Sequence, residues 1–369
     1  MNRNTSFPFY VKFALVFLGL FLFVYTLYIG QQIILPVIYA TVIAILINPI
    51  VNFLVRKKFN RTLAISITVV LAIIVTLGLL YFVSMQITMF SEMYPQLKEK
   101  FDKTSNNIIH WASGYFNVKT HKINDWIAVR ESDAINNLGS AVGQTISTIN
   151  GIVIIVLLLP VYLFMILYYK TLLLEFIRKL FSMEHHAAVF EVLVNSKKII
   201  QNYLVGLLVE AAIIAVLNSA GLLMLGIDYA IILGITGALL NVIPYIGGVI
   251  AIALPMIVAY VTKDSAAYPL MVLAIYLVIQ FIDNHIIIPR VVASKVKLNA
   301  LVSLVAVLTG AALWGIPGMF LSIPLTAILK VIFDHIESMK PWGFLLGNII
   351  PTASKYSFGF LNKKKTQNK

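Results

Sequence analysis

The chain gathers its apolar residues into runs of about twenty, the length an α-helix needs to cross ~30 Å of hydrocarbon at 1.5 Å per residue. Six such runs read as clean spans, at about 10–29, 33–54, 62–83, 149–169, 203–225 and 266–288. With 60% hydrophobic residues, 12% charged residues and a mean hydropathy of +0.92, the chain has too few charges for a water-facing surface, where roughly a quarter is usual. The fold class is therefore an all-α polytopic membrane protein. It has about eight membrane segments once two irregular stretches near the C-terminus are added. The first run is too long for a signal-peptide core and lacks a small-x-small cleavage site, so it reads as a retained span.

Charge orders these segments. The net charge of +13 could suggest nucleic acid, but the basic residues sit beside apolar spans, where the positive-inside rule explains them better. With a cytoplasmic N-terminus, the clusters at 56–61 and 170–198 fall inside. The scheme puts 21 of the 28 basic residues inside with only 5 of the 15 acids. Residues 1–83 are the N-terminal membrane helices. Residues 84–148 form an extracytoplasmic domain, with Ile108, Ile109, Trp111 and Phe116 at the spacing of amphipathic helices. Residues 149–202 hold the fourth span and a cytoplasmic helix, 203–335 a core, and 336–369 a cytoplasmic tail.

Two stretches resist this pattern. Residues 229–262 are broken by Pro244-Tyr245-Ile246-Gly247-Gly248, and 298–333 by Gly315-Ile316-Pro317-Gly318. Each is too long for one span and too short for two spans with a loop. If Arg290, Lys295 and the tail are all inside, each stretch must enter and leave by one face. Helix-plus-hairpin then occurs twice in opposite orientation, each with a later proline, Pro255 or Pro324. Inverted repeats of interrupted helices are a transporter architecture, and the simpler alternative is four ordinary short spans.

Asp283 and Glu210 are the two acids placed within spans, where ionisable groups are costly and usually face a cavity or partner. Gln280 and Asn284 lie one turn apart beside Asp283 and share a face. Asp283 either serves a polar solute or a proton relay, or pairs with Arg290 or Lys295 at the interface. Asn202, Glu210 and Asn218 form one stripe on their helix, lining a pathway or bonding helix to helix. Asn241 would stand at the first hairpin tip, where Gly247 and Gly248 allow close backbone approach. His185 and His186, being adjacent, point apart on a helix and do not make a metal site. The chain has no cysteine, which removes disulfides, thiolate metal sites and a cysteine nucleophile. Metalloprotease, serine-hydrolase, Walker A and dinucleotide motifs are missing too. No enzyme, cofactor or direct use of ATP is expected.

The run Asn241 to Gly248 resembles a hallmark of the autoinducer-2 exporter family of bacterial permeases. So do Gln280, Asp283 and Asn284 followed by Ile288-Pro289-Arg290-Val291-Val292, the stretch from Thr309-Gly310 to Gly318, and Ile323-Pro324-Leu325. The resemblance covers nearly the whole chain. It implies an oligomeric inner-membrane permease, some members being associated with autoinducer-2 export and others with sodium–proton exchange. Two positions depart from the commoner pattern: Gly248 stands where a proline often follows the tip glycine, and members vary at Asp283. Three functions follow for test. The first is secondary transport of a small polar solute and the second is monovalent cation–proton antiport. The third is a scaffold binding a partner through its outer domain. Its surroundings would be the lipid bilayer, the solute, protons or sodium, and further copies of itself.

Overall fold

The computed structural model describes residues 8–116, 158–244, 246–292, 296 and 298–348 and, within them, the side chains of all but 107–116 and Ile246. About half of the expected outer domain (117–148), the start of the fourth span and the end of the tail lie outside the described residues. Among the described residues the regular elements are helices, apart from an isolated bridge between Leu298 and Gly347. Among the described residues, seven helices are long and apolar enough to cross a bilayer.

Helix α1 (Phe9–Ile29) buries no residue and carries stacked aromatic rings along its length, from Phe9 on Phe13 to Phe21 on Tyr25. That suits a helix whose solvent is lipid. Gly30 turns the chain into α2 (Gln31–Arg56), which is packed on two faces, burying Leu35 and Val42 in one core cluster and Ala44 and Val51 in another. The next helix, α3 (Arg61–Phe116), was expected to end near 83. It continues for 56 residues, about 84 Å. The charges that begin at Glu92 mark where the helix leaves apolar surroundings, not where it stops, and Pro95 is its one internal proline.

Helix α4 (Leu158–Lys179) packs Leu163 and Leu167 against Ala44, Ala64 and Ile65 of α2 and α3. A short turn at Met183–His185 leads into α5 (His186–Met224), 39 residues long. It runs unbroken from the charged residues before 200 into the span read at 203–225, as no glycine or proline interrupts the chain between His186 and Val205. Helix α8 (Ala267–Ile282), extended by a π-helical turn at Asp283–Ile287 and by α9 (Ile288–Val291), runs antiparallel to α5. Two glycines let their backbones meet. A Cβ on Gly221 would stand 2.6 Å from Ile275, and one on Gly206 2.7 Å from the Val291 carbonyl. Small residues serve close helix contact in membranes in this way.

Two helical hairpins flank that pair. In the first, α6 (Ala230–Asn241) doubles back into α7 (Ile246–Thr262). Ala230 and Leu233 cluster with Val258 and Ala259, Gly237 faces Ala251, and Gly247 abuts the Leu240 carbonyl. At 12 residues, α6 reaches only about 18 Å, too short to cross the bilayer. The second hairpin is α10 (Ala300–His335), which breaks at Gly315 with φ 63° and ψ −143°. The backbones of Gly310 and Gly318 touch, although a straight helix would separate them by about 12 Å. Its arms are therefore 300–314 and 316–335, and α11 (Lys340–Leu346) closes its base through Asn299, which donates to Leu345 and Gly347 carbonyls at 2.7 and 3.0 Å. The hairpin bases lie at opposite ends of α5. Ala230 and Val258 cluster with Leu222, whereas His335 stands 3.7 Å from Glu191.

The C-terminal half of α3 braces the first hairpin. Met89 and Met93 join its core cluster, and Lys100 Nζ donates to the carbonyls of Val261 and Lys263 at 3.2 and 2.5 Å. The Val261 carbonyl lies in the last turn of α7, where it has no partner within the helix, and Lys263 follows the helix end. Tyr260 adds a hydroxyl bond of 2.6 Å to Thr104. Lys100→Met is expected to lower stability by about 1.5–3 kcal/mol, the worth of a hydrogen bond to a charged group. Hydrogen exchange should quicken at 258–263 and not in α10.

Candidate functional site

The site is built where the first hairpin tip meets α8. Asn241 ends α6, and its Nδ2 donates to Asp283 Oδ2 at 2.9 Å. Asp283 is fully buried, and its second oxygen, Oδ1, has no hydrogen-bond partner among the described residues. A Cβ on Gly248 would lie 3.3 Å from Gln280 Oε1 and 3.4 Å from Asn241 Oδ1. The bare glycine keeps the space between these amides open. Gly247 is required more strictly, because any side chain there would overlap the Leu240 carbonyl.

The π-helical turn decides which way the neighbours face. It turns Asp283 and Ile287 inward and leaves Asn284 and His285 exposed, the latter stacked on Phe281 at 4.2 Å. The face shared by Gln280 and Asn284 in an ideal α-helix is thereby split, and Asn284 stands apart from the cluster.

Glu210, 6% exposed, faces a cavity of about 230 Å³. Tyr203 and Leu207 of α5 line it, with Asn241, Val242 and Pro244 of the first hairpin, Ile288 of α9 and Val292 just after it, and Ser303 and Ile323 of the second hairpin. Glu210 lies near enough to Asp283 for their charges to interact, and Tyr203 likewise to Glu210. The two acids, placed by the sequence on different helices, thus belong to one site touched by both hairpins. Acids unpaired with a cation at such depth are expensive, and an arrangement that holds two together can exchange protons, take a cation or bind hydroxyl groups.

A polar seam continues from the cavity along α5 and α8. Asn218 and Tyr276, 2% and 3% exposed, converge on Gly237 of α6, a Cβ there being 3.1 Å from Asn218 Nδ2 and 3.4 Å from the Tyr276 hydroxyl. Asn218 Oδ1 and the Tyr276 hydroxyl have no partner among the described residues.

The second tip lies elsewhere. Gly315, Pro317 and Gly318 form it, and it is clamped to the N-terminal helices. Tyr39 donates its hydroxyl to the Pro317 carbonyl at 3.0 Å, and Trp314 Nε1 donates to the Leu27 carbonyl at 3.0 Å. Tyr245 is outside the described residues. His186 Nε2 meets the Phe181 carbonyl at 3.0 Å, and no cluster of three potential metal ligands occurs among the described residues. Sequence reasoning missed Tyr203 and Tyr276. Each stands seven residues before an acid, two turns away on the same helix face, which was a usable signal.

The profile of the AI-2E family transporters matches residues 15–338. The chain belongs to the AI-2E transporter family. The family is one of transporters rather than enzymes, and its members are multi-pass membrane proteins. This AI-2E transporter is 24% identical over 338 residues to YueF of Bacillus subtilis, covering 88% of each chain. It is 27% identical to YrrI of the same organism over 324 residues, 84% of this chain and 88% of the relative. The AI-2 transport protein TqsA of Escherichia coli is 26% identical over 322 residues, 87% and 91% of the two chains.

Proposed function

We propose that this AI-2E transporter is a secondary transporter moving a small polar solute across the bacterial cytoplasmic membrane, with both termini in the cytoplasm. The observation that carries this reading is one cavity, bounded by the tip of the first hairpin and the arms of the second, with Glu210 on its wall and Asp283 beside it. Hairpins based at opposite ends of the α5–α8 pair can open that cavity to one side or the other. Read as re-entrant segments, they make an inverted repeat suited to alternating access. Their irregular backbone would be tolerated because it faces protein or a polar cavity. Autoinducer-2 is the first solute to try, since TqsA bears its name.

Proton or sodium coupling follows from the paired acids. A second reading, monovalent cation–proton antiport, is favoured by the same pairing of Glu210 with Asp283. Assembly into a homo-oligomer would cover apolar side chains such as Tyr81, Val83 and Ile87 on α3.

The test is autoinducer-2 flux through purified protein in proteoliposomes, with and without an imposed proton gradient. Gradient-sensitive flux is the expected result. Sodium–proton exchange without autoinducer-2 flux would move the assignment to the antiporter. Inactivity in both assays would remove autoinducer-2 and sodium–proton exchange from the assignment.

A further inference from the structure

A second polar feature lies at the other end of the helices from the hairpin-one base, where α2, α3, α4 and α5 meet. Lys170 of α4 is half-buried, and its Nζ donates to Asn48 Oδ1 of α2 at 3.2 Å. Arg61, at the start of α3, lies alongside, its guanidinium donating to the carbonyls of Leu167 and Tyr168 at 3.3 and 3.4 Å. Lys197 of α5 is also near enough for its charge, with that of Arg61, to act on Lys170. Asn48 is 5% exposed, and its Nδ2 has no hydrogen-bond partner among the described residues.

Three cations from three helices thus gather at Lys170, which itself touches the buried Asn48 amide, and among the described residues none of them has an acidic partner. Repulsion among these like charges opposes the packing of α3, α4 and α5. Elsewhere the chain does otherwise: Arg178 pairs with Glu175 at 2.6 Å and Lys330 with Asp334 at 2.5 Å. A cluster left without acids is suited to an anion brought from outside.

We infer that Arg61, Lys170, Lys197 and Asn48 form a binding site for the headgroup phosphate of an anionic phospholipid. The surroundings favour a lipid over a soluble anion. Above Lys170 on α4, Val161, Met165 and Tyr169 are exposed apolar side chains along which acyl chains can lie. Tyr168 and Tyr169 stack edge to face at 5.0 Å, rings of the kind enriched at headgroup level. Basic pockets between membrane helices are a recognised seat for such headgroups. The site is separate from the cavity beside Glu210, so it stands whatever the transported solute is.

The experiment titrates the full-length protein in neutral detergent with phosphatidylglycerol, phosphatidylcholine or inorganic phosphate, following the thermal unfolding midpoint. Phosphatidylglycerol should raise the midpoint saturably and phosphatidylcholine should not. Lys170→Gln and Lys197→Gln should each raise the half-saturating lipid fraction about fivefold, the usual worth of one basic residue at an anionic surface. Lys57→Gln and Lys58→Gln, in the neighbouring exposed cluster, should leave it unchanged. Equal stabilisation by inorganic phosphate would overturn the lipid assignment. So would an unchanged response in both site variants, or an equal loss in the control variants. If a single-lysine variant proves unstable without lipid, Asn48→Ala supplies a neutral change at the same site, and its undiminished response would also count against the proposal.

Discussion

Asp283→Asn is expected to fold and insert normally while losing gradient-driven flux, with the initial rate falling about tenfold to a hundredfold. The estimate follows from about 1.5–3 kcal/mol for a hydrogen bond to a charged group, at 1.4 kcal/mol per tenfold. The variant keeps the shape of the side chain, and its amide oxygen can still accept from Asn241 Nδ2, which now stands at 2.9 Å from the carboxylate. Removing a buried charge does not threaten the fold, because burial of that charge opposes folding unless it is well paired. What is lost is an acid at a fully buried position whose Oδ1 has no protein partner. Glu210→Gln should behave alike, since the two acids share one site. Asn284→Ala should transport normally, because the π-helical turn leaves that side chain exposed. Flux in proteoliposomes with and without a proton gradient reads all three. Wild-type rates in Asp283→Asn would reduce Asp283 to a packing residue and remove it from the path.

Part of this site could be read from the sequence and part could not, for physical reasons. Proline and glycine stop helices locally, so the breaks near Pro244 and Gly315 were visible in sequence. The fold-back that puts Gly310 on Gly318 is a local consequence of them. The continuity of α3 past residue 83 was hidden because a change from apolar to charged residues marks a change of surroundings, and helix propensity is indifferent to it. Asp283 and Glu210 were recognisable singly as acids in apolar runs. Their meeting at one cavity depends on α5 crossing α8 through Gly206 and Gly221, a tertiary contact. The outward turn of Asn284 follows from one wide helical turn that no residue type announces. The clamps from Tyr39 to Pro317 and from Trp314 to Leu27 join positions 278 and 287 residues apart, beyond any pattern within one helix.

The second hairpin gives the largest expected effect on folding: Gly318→Val should sharply reduce the yield of monodisperse protein and its unfolding temperature. A Cβ at 318 would overlap the Gly310 carbonyl oxygen, lie 2.7 Å from the Gly310 carbonyl carbon and stand 3.0 Å from the Trp314 Cβ. The first two obstacles are backbone, which cannot rotate aside, so the arms must separate. Overpacking of this kind costs about 1–3 kcal/mol, and occasionally more. Separation would also pull Trp314 from the Leu27 carbonyl and loosen the tip from α1. Gly315→Ala isolates another cause. Nothing lies within 4 Å of a Cβ there, but φ is 63° and ψ −143°, a region nearly reserved for glycine and worth about 1–3 kcal/mol of strain. Gly19→Val and Gly78→Val are controls for the substitution itself, as both positions have nothing within 4 Å of a Cβ and lie in apolar helices. They should melt as wild type does. Hydrogen exchange across 300–335 should rise in Gly318→Val and stay unchanged in the controls. Wild-type melting and exchange in Gly318→Val would mean that the arms do not pack backbone to backbone, and the hairpin would have to be redrawn as one long helix.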